Sequence, residues 1–94
     1  MNEYENVIII KTDLSKEETS KVILKIENNI RNFAEITKKD DLGIKKLAYE
    51  IKKFKEATYM LFNFEANPDS ISELERVYRI TDDIIKFIVV RKEA

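Results

Sequence analysis

Two stretches of this chain carry apolar residues at every third or fourth position, and each lies between stretches whose apolar residues alternate or run β-branched. That alternation of periods, 3.6 then 2, admits few folds. Val22, Ile23, Ile26, Ile30 and Phe33 form the first stripe, with Lys16, Lys21, Lys25, Glu27 and Arg31 on the remaining face. Ser15 stands three residues before Glu18, the spacing of a capping box, so a helix is expected to start there. Ile71, Leu74, Val77 and Tyr78 form the second stripe, and Ser70 with Glu73 repeats the spacing. Ahead of the first helix, Val7-Ile8-Ile9-Ile10 is β-branched throughout and apolar at both parities, as a central strand requires.

Between the helices, Leu47, Tyr49 and Ile51 alternate with Lys46, Ala48, Glu50 and Lys52, the pattern of a half-exposed strand. Lys53-Phe54-Lys55-Glu56 is the expected turn. Tyr59 to Ala66 follows as a strand, with Met60, Phe62 and Phe64 on one face and Tyr59, Leu61 and Asn63 on the other. Asn67-Pro68-Asp69 breaks it, because proline has no N–H for a central ladder. Thr81-Asp82-Asp83 closes the second helix, and Ile84 to Val90 is the fourth strand. The order is β-α-β-β-α-β. It predicts an α+β, ferredoxin-like fold over residues 1–94, with a four-stranded antiparallel sheet and two helices on one face. The second strand is expected at one edge.

Counting removes most chemistry. There is no Cys and no His, hence no thiolate or imidazole nucleophile, base or metal ligand. The one glycine, Gly43, cannot build a phosphate-cradling loop or the glycine-rich segment of an RNA-recognition motif. Asp40-Asp41 and Asp82-Asp83 are expected in turns, and the serines lack a base. No catalytic residue, metal site or cofactor is expected. Residues 1–4 carry neither a basic segment nor an apolar one, so no export signal is expected and the cytoplasm is the expected compartment.

Surfaces remain. The sheet face away from the helices is expected to hold Tyr4, Tyr49, Tyr59 and Leu61, either as an apolar contact patch or as tyrosines closing the sheet with hydroxyls in water. Lys38 to Lys55 contains seven lysines and three acids, net +4. Those lysines serve equally to protect an edge strand from aggregation or to meet phosphates or an acidic partner. Arg79, Lys86, Arg91 and Lys92 are expected to form a second basic patch near one end of the sheet. The net charge is −1, so any nucleic-acid contact must be local.

Gly43-Ile44-Lys45-Lys46-Leu47-Ala48-Tyr49-Glu50-Ile51-Lys52 resembles the signature segment of the bacterial small-subunit ribosomal protein six family. Tyr4-Glu5, Tyr59, Leu74-Glu75-Arg76, Arg79-Ile80, Asp82, Lys86 and Val89-Val90-Arg91 extend the resemblance over nearly the whole chain. Leu42 stands where the family often has tryptophan, and Lys46 and Lys86 where it often has arginine. The resemblance implies a structural, non-enzymatic protein that pairs with small-subunit ribosomal protein eighteen and binds the central domain of small-subunit ribosomal RNA. It implies Tyr4, Lys45, Lys46, Leu47, Tyr49 and Tyr59 at the protein interface, and Arg79, Lys86, Arg91 and Lys92 at phosphates. The alternative on topology alone is a stand-alone regulatory or oligomerisation module that pairs sheets without RNA.

Overall fold

The computed structural model describes residues 1–92. The elements follow in the expected order: β1 (Asn2–Ile10), α1 (Lys16–Arg31), β2 (Ala34–Ile51), β3 (Phe54–Ala66), α2 (Pro68–Ile80) and β4 (Ile84–Arg91). The strands form one antiparallel sheet in the order β2-β3-β1-β4, so β1 is central and β2 and β4 are the edges. Among the described residues no helix is long and apolar enough to cross a membrane.

The main core lies between the sheet and the helices. Ile8 and Ile10 of β1, Met60, Phe62 and Phe64 of β3, Ile26 and Ile30 of α1, and Leu74 and Tyr78 of α2 bury together. Both apolar stripes are thus spent on one face of the sheet, which places the two helices side by side there. Inside this layer the Tyr78 hydroxyl donates to Asn6 Oδ1 at 2.7 Å, and Asn6 Nδ2 donates to the Ile88 carbonyl at 2.9 Å.

The α1 cap is as expected: the Glu18 N–H donates to Ser15 Oγ and the Ser15 N–H to the Glu18 carboxylate. The α2 start differs. The helix begins at Pro68 with Asn67 as N-cap, and no side chain caps it. Proline's fixed φ and missing N–H suit the first helical position, so Pro68 both ends β3 and opens α2, while Ser70 lies inside the first turn. The β2–β3 hairpin is also longer than the alternation alone implies. β2 begins at Ala34, which puts Asp40-Asp41 in a strand and not in a turn.

The hairpin turn is Lys52-Lys53, two residues earlier in effect than expected, with Ile51 paired to Phe54. Both lysines have positive φ, 50° and 72°, the geometry of a two-residue turn that matches strand twist. Asn-Gly is the usual signal for that turn, and neither residue is present, so the sequence concealed it.

Candidate interface for RNA and a protein partner

Gly43 sets the hairpin's course. Its φ is +76°, its N–H donates to Asp41 Oδ1 at 2.9 Å, and the β2–β3 register shifts between Asp41 and Gly43. A Cβ there would meet nothing within 4 Å, so glycine is required by backbone conformation and not by a close approach. Beyond Ile10, which pairs with Thr58, the rest of the hairpin has no β1 neighbour and becomes a two-stranded ribbon. A further register shift between Lys46 and Ile51 lets it bend.

The ribbon leans across the sheet face opposite the helices. Leu47, Phe54 and Tyr59 pack with Val7, Ile9, Ala57 and Ile85 in a second, smaller core. Ile9 and Ile85 are 5% and 8% exposed as a result. Burying an isoleucine side chain is worth about 1.5–3 kcal/mol, which is what holds the ribbon down. The bend carries Tyr49 from edge strand β2 to the opposite edge. Lys86 Nζ on β4 donates to Tyr49 Oη at 3.4 Å and lies 5.8 Å from its ring centroid. Two residues expected in separate sites therefore touch.

Tyr49 itself is 64% exposed, and Leu47 and Tyr59 are half-buried beneath it. Lys45 and Lys46 are exposed on the ribbon, opposite Ala57 and Glu56. Tyr4 must be corrected. It is 6% exposed and stacks on Phe64 in the helix-side core, with ring centroids 5.8 Å apart. Alternation along β1 puts Tyr4 with Ile8 and Ile10, and Glu5, Val7 and Ile9 on the other face, so Tyr4 cannot meet a partner.

The four expected phosphate contacts also need correcting as a group. They do not form one patch: Arg79 is on α2, Lys86 and Arg91 are on opposite faces of β4, and Lys92 follows that strand. Lys86 and Arg91 are five residues apart on β4, about 17 Å along an extended strand. Arg79, on the last turn of α2, lies over the Phe87 ring at 5.9 Å and meets Glu75 at 3.8 Å. Lys92 meets Glu3 at 3.7 Å. These two ion pairs are exposed and weak, so a phosphate can replace either carboxylate. Lys86 and Arg91 have no carboxylate in salt-bridging reach among the described residues.

One lysine of the Lys38–Lys55 stretch joins two of these cations. Lys52, at the ribbon tip, lines a shallow groove of about 260 Å³ together with Arg79 and Lys86, floored by Tyr78, Ile84, Ile85 and Phe87. Three cations from β2–β3, α2 and β4 thus converge at one end of the β4 edge. Lys52 and Lys86 are 34 positions apart in the chain, so nothing local in the sequence joins them.

The comparisons with known proteins agree with this architecture. The family model for ribosomal protein S6 matches residues 3–91. Small ribosomal subunit protein bS6 of Heliobacterium modesticaldum is 47% identical over 94 residues, covering 99% of this chain and 98% of that one. The bS6 protein of Caldanaerobacter subterraneus is 42% identical, covering 99% of each chain. The crystal structure of 30S ribosomal protein S6 from Thermotoga maritima superposes with a TM-score of 0.92 at 32% identity, over 97% of this chain and 87% of that one.

Proposed function

The chain belongs to the ribosomal protein S6 family, and from that premise we propose that it binds the central domain of small-subunit ribosomal RNA as a heterodimer with small-subunit ribosomal protein eighteen. As a family member it is a structural component of the small subunit of the cytoplasmic ribosome, and not an enzyme. The stand-alone module considered from topology has no reason to carry the Gly43–Lys52 segment.

The observation that carries the proposal is the Tyr49–Lys86 contact. It makes the ribbon's apolar surface and the β4 cations one continuous surface, so a protein and an RNA can be held side by side. In this reading Leu47, Tyr49 and Tyr59, flanked by Lys45 and Lys46, meet the protein, because aromatic rings in half-buried settings dominate such contacts. Lys52, Arg79 and Lys86 at one end of β4, and Arg91 and Lys92 at the other, meet phosphates. With a net charge of −1 the chain alone releases few counterions and binds RNA weakly, and a basic partner supplies the missing charge.

The test is filter retention of central-domain RNA across a salt series, with the chain, ribosomal protein eighteen and their mixture, and calorimetry for the protein pair. The isolated chain should retain negligible RNA at physiological salt and the mixture should bind tightly. Lys86→Ala with Arg91→Ala should weaken the ternary complex and lower its salt slope by at most about two units. Tyr49→Ala should act on heterodimer formation instead. RNA binding by the isolated chain as tight as by the mixture would overturn the proposal.

A further inference from the structure

The face opposite the helices is covered by the ribbon only at one end. At the other end its surface is set by cross-strand register. Glu35 of β2 pairs with Glu65 of β3, and Glu65 pairs with Glu3 of β1, so three glutamates stand side by side across three adjacent strands. Glu5 lies one row further in, on the same face, beside Asn63. Like charges directly opposite on a sheet repel. Glu3 is met by Lys92 at 3.7 Å, whereas among the described residues no cation lies in salt-bridging reach of Glu5, Glu35 or Glu65.

A second observation is independent of the charges. Asn63 is 7% exposed, and its Oδ1 is buried without a hydrogen-bond donor. By register it sits between Glu5 and Lys38 on this same face. A buried acceptor left open is a cost with no return inside the chain. Next to it, Val7, Leu61, Ile88 and Val90 form an apolar strip that continues to the ribbon, with Ile88 and Val90 44% and 55% exposed.

We infer that this end of the face is the docking site for a basic segment of the protein partner, with its Lys or Arg side chains on the Glu35–Glu65–Glu3 row, a donor to Asn63 Oδ1 and aliphatic groups on Ile88 and Val90. The inference rests on the partner reading above and deepens it. Charge complementarity selects the occupant: an RNA backbone is repelled by the row, and arginine forks match carboxylates in pairs. The chain thus separates its partners by position, with cations along the β4 edge for RNA and carboxylates across β2, β3 and β1 at this end for protein.

The test uses the full chain, with ribosomal protein eighteen as the probe, by calorimetry across a salt series. Glu35→Gln with Glu65→Gln should raise the melting temperature of the free chain, by relieving repulsion, and weaken partner binding about tenfold at low salt with a flatter salt dependence. Asn63→Val should likewise leave the free chain folded and weaken binding. If the native chain binds the partner and both variants bind it equally well, the inference is overturned and the partner reading stands. If partner binding is unchanged but the mixture loses RNA, the face meets RNA and the inference is overturned. If the native chain does not bind the partner at all, both fall.

Discussion

The hydrogen bond from Tyr78 to Asn6 joins residues 72 positions apart, and its removal should be costly out of proportion to its size. Tyr78→Phe deletes one oxygen and keeps the ring, so no large cavity opens. Asn6 is 0% exposed and Tyr78 1%, so water cannot replace the lost donor and Asn6 Oδ1 is left unpaired in the core. Such an orphaned group costs about 1–3 kcal/mol. For a domain near this size each kcal/mol moves the melting temperature by about 4–8 °C, so a loss of about 2 kcal/mol predicts a fall of roughly 8–16 °C. The double variant Asn6→Leu, Tyr78→Phe removes donor and acceptor together and should cost less than the sum of the singles. Calorimetry or circular dichroism on the four proteins closes the cycle. The same burial raises the Tyr78 pKa above its ordinary value of 10.0, with the Glu75 charge adding to it. The native state therefore holds the neutral phenol while the unfolded state can ionise. Stability from this group is complete below about pH 10 and is lost as pH rises beyond it. A Tyr78→Phe melting temperature within about 2 °C of the native one, or strict additivity in the cycle, would refute the reasoning.

Backbone strain governs two further outcomes. Gly43→Val should cost about 1–3 kcal/mol in urea unfolding, through the positive φ alone since the space is open, and Gly43→Asn much less. Equal midpoints for Val and Gly would mean the bulge relaxes. Lys52→Asn with Lys53→Gly should stabilise the hairpin turn by about 1–2 kcal/mol while weakening RNA retention by the heterodimer mixture, because it removes both cations at the ribbon tip, Lys52 of the groove among them. A rise in stability with unchanged RNA retention would remove Lys52 from the phosphate contacts.

Periodicity and the α1 capping box make the element order readable in the sequence. The Ser15–Glu18 box, the two apolar stripes and the β-branched runs act within a few residues of themselves, and local spacing expresses such forces directly. Gly43, the one glycine of the chain, lies inside β2 at a register shift, where its positive φ is a backbone requirement. The turn at Lys52-Lys53 was not legible, because its residues do not favour the conformation they adopt and the ribbon's packing imposes it. Tyr4 failed as a partner residue on a question of parity. A strand's two faces differ only by one position, and which face meets the helices is settled by how β1 is paired on both sides.

The convergence of Lys52, Arg79 and Lys86, the Tyr49–Lys86 contact and the Glu35–Glu65–Glu3 row all belong to tertiary structure. Each joins residues from different elements, brought together by a bent ribbon or a cross-strand register. Spacing along the chain encodes which residues share a side of their own element, and so this sequence dictated the elements and the buried stripes of its two helices. Which elements become neighbours follows from burying the main core between sheet and helices, and the ribbon's fold-back from burying Ile9, Ile85, Leu47 and Phe54 together. That burial is a property of the folded surface as a whole, and it is why the two candidate interfaces became visible only in three dimensions.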